Sequence, residues 1–205
     1  MVGEFEVICL QHLIPSLRVK DVTIFDLLAQ EFHYGEFVFF SQLAAYLGRI
    51  AAIPAKDAQE IGHISELVYL YAKIHISVKE GTLEDAGFRS GVQMPVLLGD
   101  LFLGRFYRML AECQKENCLP VYLDYMKDLN SREVDRLEQR NHAEPDAYYR
   151  NLLAQKVAEA VAVLAGEAFT EKESLQVAAE NYLREQWQLV YGERITSLAQ
   201  LEEKL

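Results

Sequence analysis

Two pairs of side chains in this sequence have spacings that could support metal chemistry. Glu60 and His63 are three residues apart, the helical spacing with which di-iron bundles hold their metal. Such bundles need this motif twice, together with two further glutamates, and the sequence has it once. Cys113 and Cys118 lack histidines at zinc-binding spacing. We therefore predict that Glu60 and His63 form a helix-surface pair and that this chain alone binds no metal or other cofactor.

No local sequence pattern places a catalytic nucleophile beside a general base. The sequence has no glycine-rich phosphate loop, no dinucleotide-binding fingerprint and no Gly-x-Ser-x-Gly turn. Asp124 and Asp128 are four residues apart, and we interpret them as part of a solvated helix face. The three cysteines, of which Cys9 stands alone, form no Cys-x-x-Cys pair. Free thiols in a reducing compartment are therefore expected.

The composition excludes several classes of function. Twenty lysines and arginines against 31 aspartates and glutamates give a net charge of −11. An acidic chain without a basic block is a poor candidate for binding nucleic acid or an anionic membrane surface. The N-terminus has no basic region before its apolar residues and does not resemble a signal peptide. The most apolar stretch, 37–54, includes Arg49, so it predicts a core helix rather than a membrane span. We expect a cytoplasmic protein.

The elements that would position these residues are almost all helical. Strict alternation of polar and apolar residues is rare, whereas helical spacing recurs along the chain. One all-α domain, 1–205, is the expectation. The predicted helices begin at Asp21, which would cap a helix through Val22, Phe25 and Phe32, and then span 37–53, 56–79, 95–110, 120–140, 146–166 and 171–191. Gly81, Gly87 and Gly91 predict a loop before Pro95.

The helix that begins at Pro95 is apolar on nearly every side. Such a helix is typical of a central position or of a subunit interface. Asp100 interrupts it, and a carboxylate is costly in an apolar interior unless it is paired. Two interpretations of Asp100 remain open at this point. It makes a structural contact to another helix, or it belongs to a site or an interface.

This helix resembles a segment of a known family. VLLGDLFLGRFYRML, from Val96 to Leu110, is similar to the helix of trans-polyprenyl diphosphate synthases that typically reads VLLGDYLFARAFELL. Upstream, the family carries an aspartate-rich motif, typically IHDDVID, where this chain has IHISVKE. The resemblance covers roughly residues 20–192. It implies an isoprenoid-synthase-like all-α bundle, here shortened at its C-terminal end.

The departures from the family pattern bear directly on catalysis. The family's aspartates hold Mg²⁺ ions that bind the diphosphate of an allylic substrate. This chain has the degenerate first motif His75, Ile76, Ser77 and Glu80, in which isoleucine cannot bind magnesium. The second aspartate motif is also missing after Trp187. The resemblance therefore implies that the chain has no independent activity and that Mg²⁺ is held by a catalytic partner.

The resemblance also implies roles for two individual residues, Lys156 and Tyr71. Lys156, seven residues after Tyr149, corresponds to a lysine that contacts diphosphate, although pairing at a surface or interface is an equal alternative. Tyr71 occupies the place where family members set the floor of the product cavity. Without an ionisation site above it, Tyr71 is expected to be a core residue.

The pattern is most similar to the non-catalytic small subunits of heteromeric synthases, heptaprenyl diphosphate synthase component 1. This implies an auxiliary subunit that pairs with a catalytic polyprenyl synthase subunit as a heterodimer, or forms a homodimer in isolation. The product would serve menaquinone side-chain synthesis. Two alternatives are an isoprenoid- or lipid-binding helical protein without catalysis, and an enzyme that uses Glu80, Asp85 and Asp100.

The resemblance also implies where a partner would bind. Family members dimerise through this central helix and the one after it. Carried over, that places Leu98, Asp100, Phe102 and Phe106 at the interface, together with the Tyr122–Leu129 face. The alternative is that these residues fill the core of this chain.

Overall fold

The structure, a computed structural model, describes residues 18–19, 22–23, 33–77, 86–139 and 145–190. Its first element is a small antiparallel ladder between β1, Arg18–Val19, and β2, Val22–Thr23. The prediction that Asp21 caps a helix through Val22 is therefore wrong at Val22, which pairs with Val19. Phe25 and Phe32 of that predicted helix lie outside the described residues.

Helices form nearly all of the rest of the described chain, which confirms the expected all-α helical bundle. Two single 3₁₀ turns span Tyr34–Phe37 and Glu116–Cys118. The α-helices are α1 (Phe39–Ile50), α2 (Ala55–Ser77), α3 (Ala86–Glu112), α4 (Leu119–Gln139), α5 (Pro145–Ala165) and α6 (Lys172–Val190).

The predicted start of α3 is wrong by nine residues. The helix begins at Ala86, and Gly87 and Gly91 are helical rather than part of a loop. Pro95 lies in the tenth position, where it removes one backbone donor at a cost of about 3 kcal/mol. Proline and glycine are strong breakers in isolation, but the rest of a 27-residue helix that packs on α2 can offset their cost.

The most enclosed helix is α2. Every residue from 61 to 72 is buried, and α2 contacts α1, α3, α4 and α5. The sequence left open a central position or a subunit interface for the apolar α3, and α3 packs chiefly against α2. Because α2 also contains buried polar residues such as Ser65 and Glu66, its hydropathy pattern does not indicate that the helix is buried on all sides.

Two glycines let α1 approach α2 closely. A methyl group added at Gly62 would stand 2.7 Å from the Cα of Ser41, and one at Gly48 would stand 2.6 Å from the Cβ of Ala58. Both separations are too short for real carbon atoms. The glycines therefore allow α1 and α2 to approach each other closely. None of the helices in the described ranges has the length and apolar character required to cross a bilayer.

Candidate functional site

The degenerate motif lies at the C-terminal end of α2. The His75 side chain is exposed, and its ring stacks on Tyr71 with centroids 5.6 Å apart and planes at 23°. Ile76 and Ser77 are the last two residues of the helix, and Glu80 lies outside the described residues. Among the described side chains, no three His, Cys, Asp or Glu come together as a metal-binding group.

Tyr71 and Asp100 meet at the α2–α3 contact. Tyr71 is buried, and a methyl group at Gly99 would stand 3.8 Å from its ring. Burial, followed by the nearby Asp100 and Tyr107, raises the pKa of the Tyr71 hydroxyl. Asp100 itself is exposed, so its carboxylate avoids the desolvation cost expected for an apolar interior. In the alternative carboxylate set, Glu80 and Asp85 lie outside the described residues.

The inner face of α3 is part of the core of this chain. Leu98, Phe102, Phe106 and Leu110 recur every four residues and are all buried. The ring of Phe106 meets Tyr122 edge-on at 5.5 Å. Leu98, Phe102 and Phe106 therefore do not form an accessible interface, and the alternative that they fill the core is the one that the structure supports.

The same correction applies to the predicted face of α4. Its apolar residues, Tyr122, Tyr125, Met126 and Leu129, are buried. The hydroxyls of Tyr122 and Ser65 are 2.8 Å apart, which ties α4 to α2. These side chains therefore pack inside this chain and are not accessible to a partner.

The outer face of α3 is the exposed apolar surface of this helix. Leu97 is 62% exposed, Val96 46% and Tyr107 43%. Gly104, between them, is exposed and has open space where a side chain would be. We call this surface, formed by residues 96, 97, 100, 101, 104, 107, 108 and 111, the outer face of α3. Hydropathy alone did not separate it from the inner face, because both faces contain leucines and aromatic residues.

A buried polar cluster that the sequence did not indicate lies beside α1. Glu36 is almost fully buried and accepts a hydrogen bond from the Tyr69 hydroxyl at 2.6 Å and another from the backbone N–H of His33 at 2.6 Å. Lys73 forms an ion pair with the same carboxylate. Since Tyr69 and Lys73 both belong to α2, this cluster fixes the 3₁₀ turn before α1 against the centre of the bundle.

Glu66 caps α1 from the neighbouring helix. The N-cap residue of α1 is Val38, whose side chain cannot accept a hydrogen bond. Glu66 Oε1 takes over this role and accepts a hydrogen bond from the backbone N–H of Ser41 at 2.9 Å. Burial raises the pKa of Glu66 to about 8, although hydrogen bonds from Ser41 and Phe40 oppose this rise. Burial therefore favours the neutral form of the Glu66 carboxyl.

Lys156 is held by ion pairs within the chain. Its ammonium lies 3.0 Å from Glu159 on the same helix and 3.7 Å from Asp124 on α4. The structure thus shows Lys156 in ion pairs within the chain, which was one of the two alternatives for this residue. Nothing in the described residues tests the other alternative, a contact to diphosphate. Asp124 and Asp128 are exposed, as predicted.

The remaining candidate residues have structural roles. Glu60 forms an ion pair with Lys115 at 3.1 Å, and His63 is buried, so the predicted helix-surface pair is wrong for His63. Cys113 and Cys118 are free thiols, and burial raises the pKa of Cys118 to about 11. Cys9 lies outside the described residues.

The comparisons with known proteins do not add a family. No protein-family model matches the chain, and no curated protein matches it either.

Proposed function

We propose that this chain is an auxiliary, non-catalytic subunit of a heteromeric polyprenyl diphosphate synthase. It would support a catalytic subunit of the same fold and contribute to the control of product chain length in menaquinone side-chain synthesis. The proposal starts from the resemblance of 96–110 and 74–80 to synthase segments. The all-α bundle, with α2 and α3 packed together, is compatible with that scaffold.

The chemistry of the motif residues supports the non-catalytic part of the proposal. Ionisation of an allylic diphosphate requires positive charge that offsets the charge on the leaving group, and Mg²⁺ needs oxygen ligands to stay in place. Isoleucine at 76 and serine at 77 supply no carboxylate, and magnesium prefers oxygen ligands to the imidazole nitrogens of His75. The residues present do not fit a magnesium site, so Mg²⁺ would be held by the catalytic partner.

The observation that carries the proposal is the outer face of α3. An auxiliary subunit acts by binding, and exposed apolar side chains on a helix that is packed on its other side give a partner a surface to cover. Leu97 is 62% exposed on a helix whose inner face is firmly packed. A partner could therefore cover the outer face without any rearrangement of the core, because Phe102 and Phe106 anchor the helix from the other side.

A reconstitution assay tests this function. The chain, a candidate catalytic subunit from the same genome and the mixture of both are each given Mg²⁺, farnesyl diphosphate and labelled isopentenyl diphosphate, and product length is measured by chromatography. We expect prenyl transfer only in the mixture. Activity of this chain alone, or a catalytic subunit that is equally active without it, would contradict the proposal.

A matched pair of variants locates the contact. Leu97→Asp should reduce the activity of the mixture at least about tenfold, the loss that about 1.4 kcal/mol of binding free energy produces at subsaturating concentration. Val177→Asp is the control, since Val177 is 57% exposed on α6. Equal activity of both variants would remove the outer face of α3 from the proposal.

A further inference from the structure

Arg105, on α3, is a partly buried cation that has no counter-ion in the described part of the chain. Its Nε is buried and has no hydrogen-bond partner there. The other partly buried basic side chains in the described ranges all have a partner. These pairs are Lys73 with Glu36, Lys115 with Asp57 and Glu60, Lys156 with Glu159, and Arg150 over the ring of Trp187. The net charge is −11, so a shortage of acidic groups does not explain why Arg105 lacks one.

The surroundings of Arg105 make its unpaired charge costly. Leu101 and Met109, one turn before it and one turn after it, are partly buried and packed against the hydrophobic core. Burial accordingly lowers the pKa of the Arg105 guanidinium, which nevertheless stays charged. A cation beside apolar groups is poorly solvated, and it therefore interacts more strongly with an anion than a cation in open water does.

Arg108 adds a second positive charge on the same side of the helix. Residues three apart are neighbours on a helix surface, and the nearness of Arg108 also lowers the pKa of Arg105. Arg108 is 72% exposed, and its Nε donates to Glu112 at 2.7 Å, so Glu112 neutralises it in part. No described carboxylate affects the pKa of Arg105 in this way. Two guanidinium groups and one carboxylate leave a net positive charge at this level of α3.

The chemistry of the two guanidinium groups favours one class of anion. A guanidinium has five N–H donors in a planar fork that fits the oxygens of a carboxylate or a phosphate. A carboxylate has two oxygens in one plane and a single charge, whereas a phosphate group has three or more oxygens and carries more negative charge. A phosphate group can therefore accept hydrogen bonds from Arg105 and still be attracted by Arg108 on the next turn.

We propose that Arg105 binds a phosphate group, as inorganic phosphate or as part of a phosphorylated small molecule, and that Arg108 contributes positive charge from the next turn. The bound anion would supply the counter-ion that the described chain does not provide. This inference goes beyond the proposed function and does not rest on it, because it requires neither a catalytic subunit nor prenyl transfer.

Thermal denaturation of the whole chain at constant ionic strength tests the site. Sodium chloride is replaced stepwise by inorganic phosphate, by glycerol phosphate or by acetate. We expect inorganic phosphate to raise the Tm, because a ligand that binds only the folded state stabilises it, and acetate to raise it much less. A similar rise with glycerol phosphate would support a phosphorylated small molecule as the ligand, and its absence would support the free ion. No rise with either phosphate compound, or an equal rise with acetate, would overturn the inference.

Variants separate binding at Arg105 from the general effect of phosphate. Phosphate also stabilises folded proteins because it is excluded from their surfaces, and all variants share that effect. Arg105→Met keeps an apolar stem and should lose the additional rise in Tm, with phosphate affinity in a calorimetric titration at least about tenfold weaker. Arg184→Gln is the matched control, because it removes one positive charge from α6, where Arg184 bonds to Asn181. An equal rise in Tm for the native chain and Arg105→Met would overturn the inference.

Two further variants keep the test independent of folding defects. Arg105→Lys keeps the charge without the planar fork and should bind phosphate more weakly than the native chain. Arg108→Gln, at an exposed position, should weaken binding by about threefold. Native affinity in both variants would overturn the inference.

The sign of the stability change distinguishes a binding role of Arg105 from a packing role. In chloride alone, Arg105→Met should have a higher Tm than the native chain, because it removes a poorly solvated charge without a counter-ion. Phosphate should close or reverse that difference. A native chain that is more stable than Arg105→Met by the same margin in both salts would assign Arg105 to packing and overturn the inference.

Discussion

The contact between α1 and α2 and the outer face of α3 differ in how much of each is buried within this chain. At the first, Glu66 caps α1, and Glu36 is held by Tyr69 and Lys73. Gly62 brings the two backbones as close as packing allows. At the second, Leu97 and Tyr107 are exposed to solvent.

This difference contrasts a region that stabilises the fold with a surface that is open to a partner. Buried polar groups with intramolecular partners hold the fold together and leave little for a ligand to bind. Exposed apolar groups on a rigid helix retain free energy that a partner can recover. The resemblance pointed to Leu98, Phe102 and Phe106 as an interface, but these side chains are buried, and the exposed apolar residues Leu97 and Tyr107 lie on the other side of the helix.

The largest predicted effect contrasts the two faces of α3. Phe102→Ala should lower the free energy of unfolding by about 3–5 kcal/mol, because it removes a fully buried ring and leaves a cavity. Leu97→Ala should change it by less than about 0.5 kcal/mol. Urea denaturation, at a protein concentration low enough to keep the chain monomeric, measures both. Equal costs would show that the outer face is covered within the monomer.

The next effect concerns the buried carboxyl of Glu66. Its pKa is raised from 4.5 to about 8 in the folded chain, so the folded state keeps a proton that the unfolded state releases between these values. The stability of the native protein should therefore fall as pH rises from 4.5 to 8 and then level off. Glu66→Gln, which mimics the protonated group, should remove this component.

Denaturation of both proteins at several pH values checks that prediction. The difference in stability between Glu66→Gln and the native chain should grow with pH to a few kcal/mol in favour of the variant. A variant whose advantage shrinks as pH rises would mean that the native carboxyl is charged and that its cap on Ser41 dominates.

A third test compares two helical glycines. Gly62→Ala should destabilise the chain by about 1–3 kcal/mol, because the new methyl group would meet the backbone of Ser41. Gly104→Ala should stabilise the monomer by about 0.5–1 kcal/mol, since Gly104 has open space and alanine favours a helix. Thermal denaturation of the two variants measures the contrast. A destabilised Gly104→Ala monomer would show that the outer face is packed.

Sequence reasoning predicted the class of the fold and several helices well, and it failed where tertiary contacts decide. The boundaries of α4 and α6 lie within one residue of their predicted ends because proline, glycine and polar residues mark them. The start of α3 was missed because Gly87, Gly91 and Pro95 are tolerated inside the helix. Which apolar face of α3 is buried depends on where α2 lies, and composition carries no information on that point.

The buried polar cluster was missed for a related reason. Glu36, Glu66 and Lys73 are ordinary charged residues in the sequence, and the burial of the two glutamates follows from long-range contacts with α1 and α2. Helical spacing places Glu66 and Lys73 on α2 but does not indicate that Glu36 approaches them from a turn before α1. The sequence signal that could have suggested a cap on α1 is only that Val38 cannot supply one.

The smallest predicted effect concerns Lys156, whose charge is satisfied within the chain. Lys156→Met keeps the apolar stem and removes the ion pairs with Asp124 and Glu159, of which Asp124 is well exposed. Such pairs contribute less than about 1 kcal/mol, so the variant should fold with nearly native stability. In the reconstituted mixture it should also keep prenyl transfer within about twofold if the lysine serves only these pairs. A loss of about tenfold or more, with native stability and native binding of the catalytic subunit, would instead assign Lys156 a contact to diphosphate, because the substitution leaves the outer face of α3 intact.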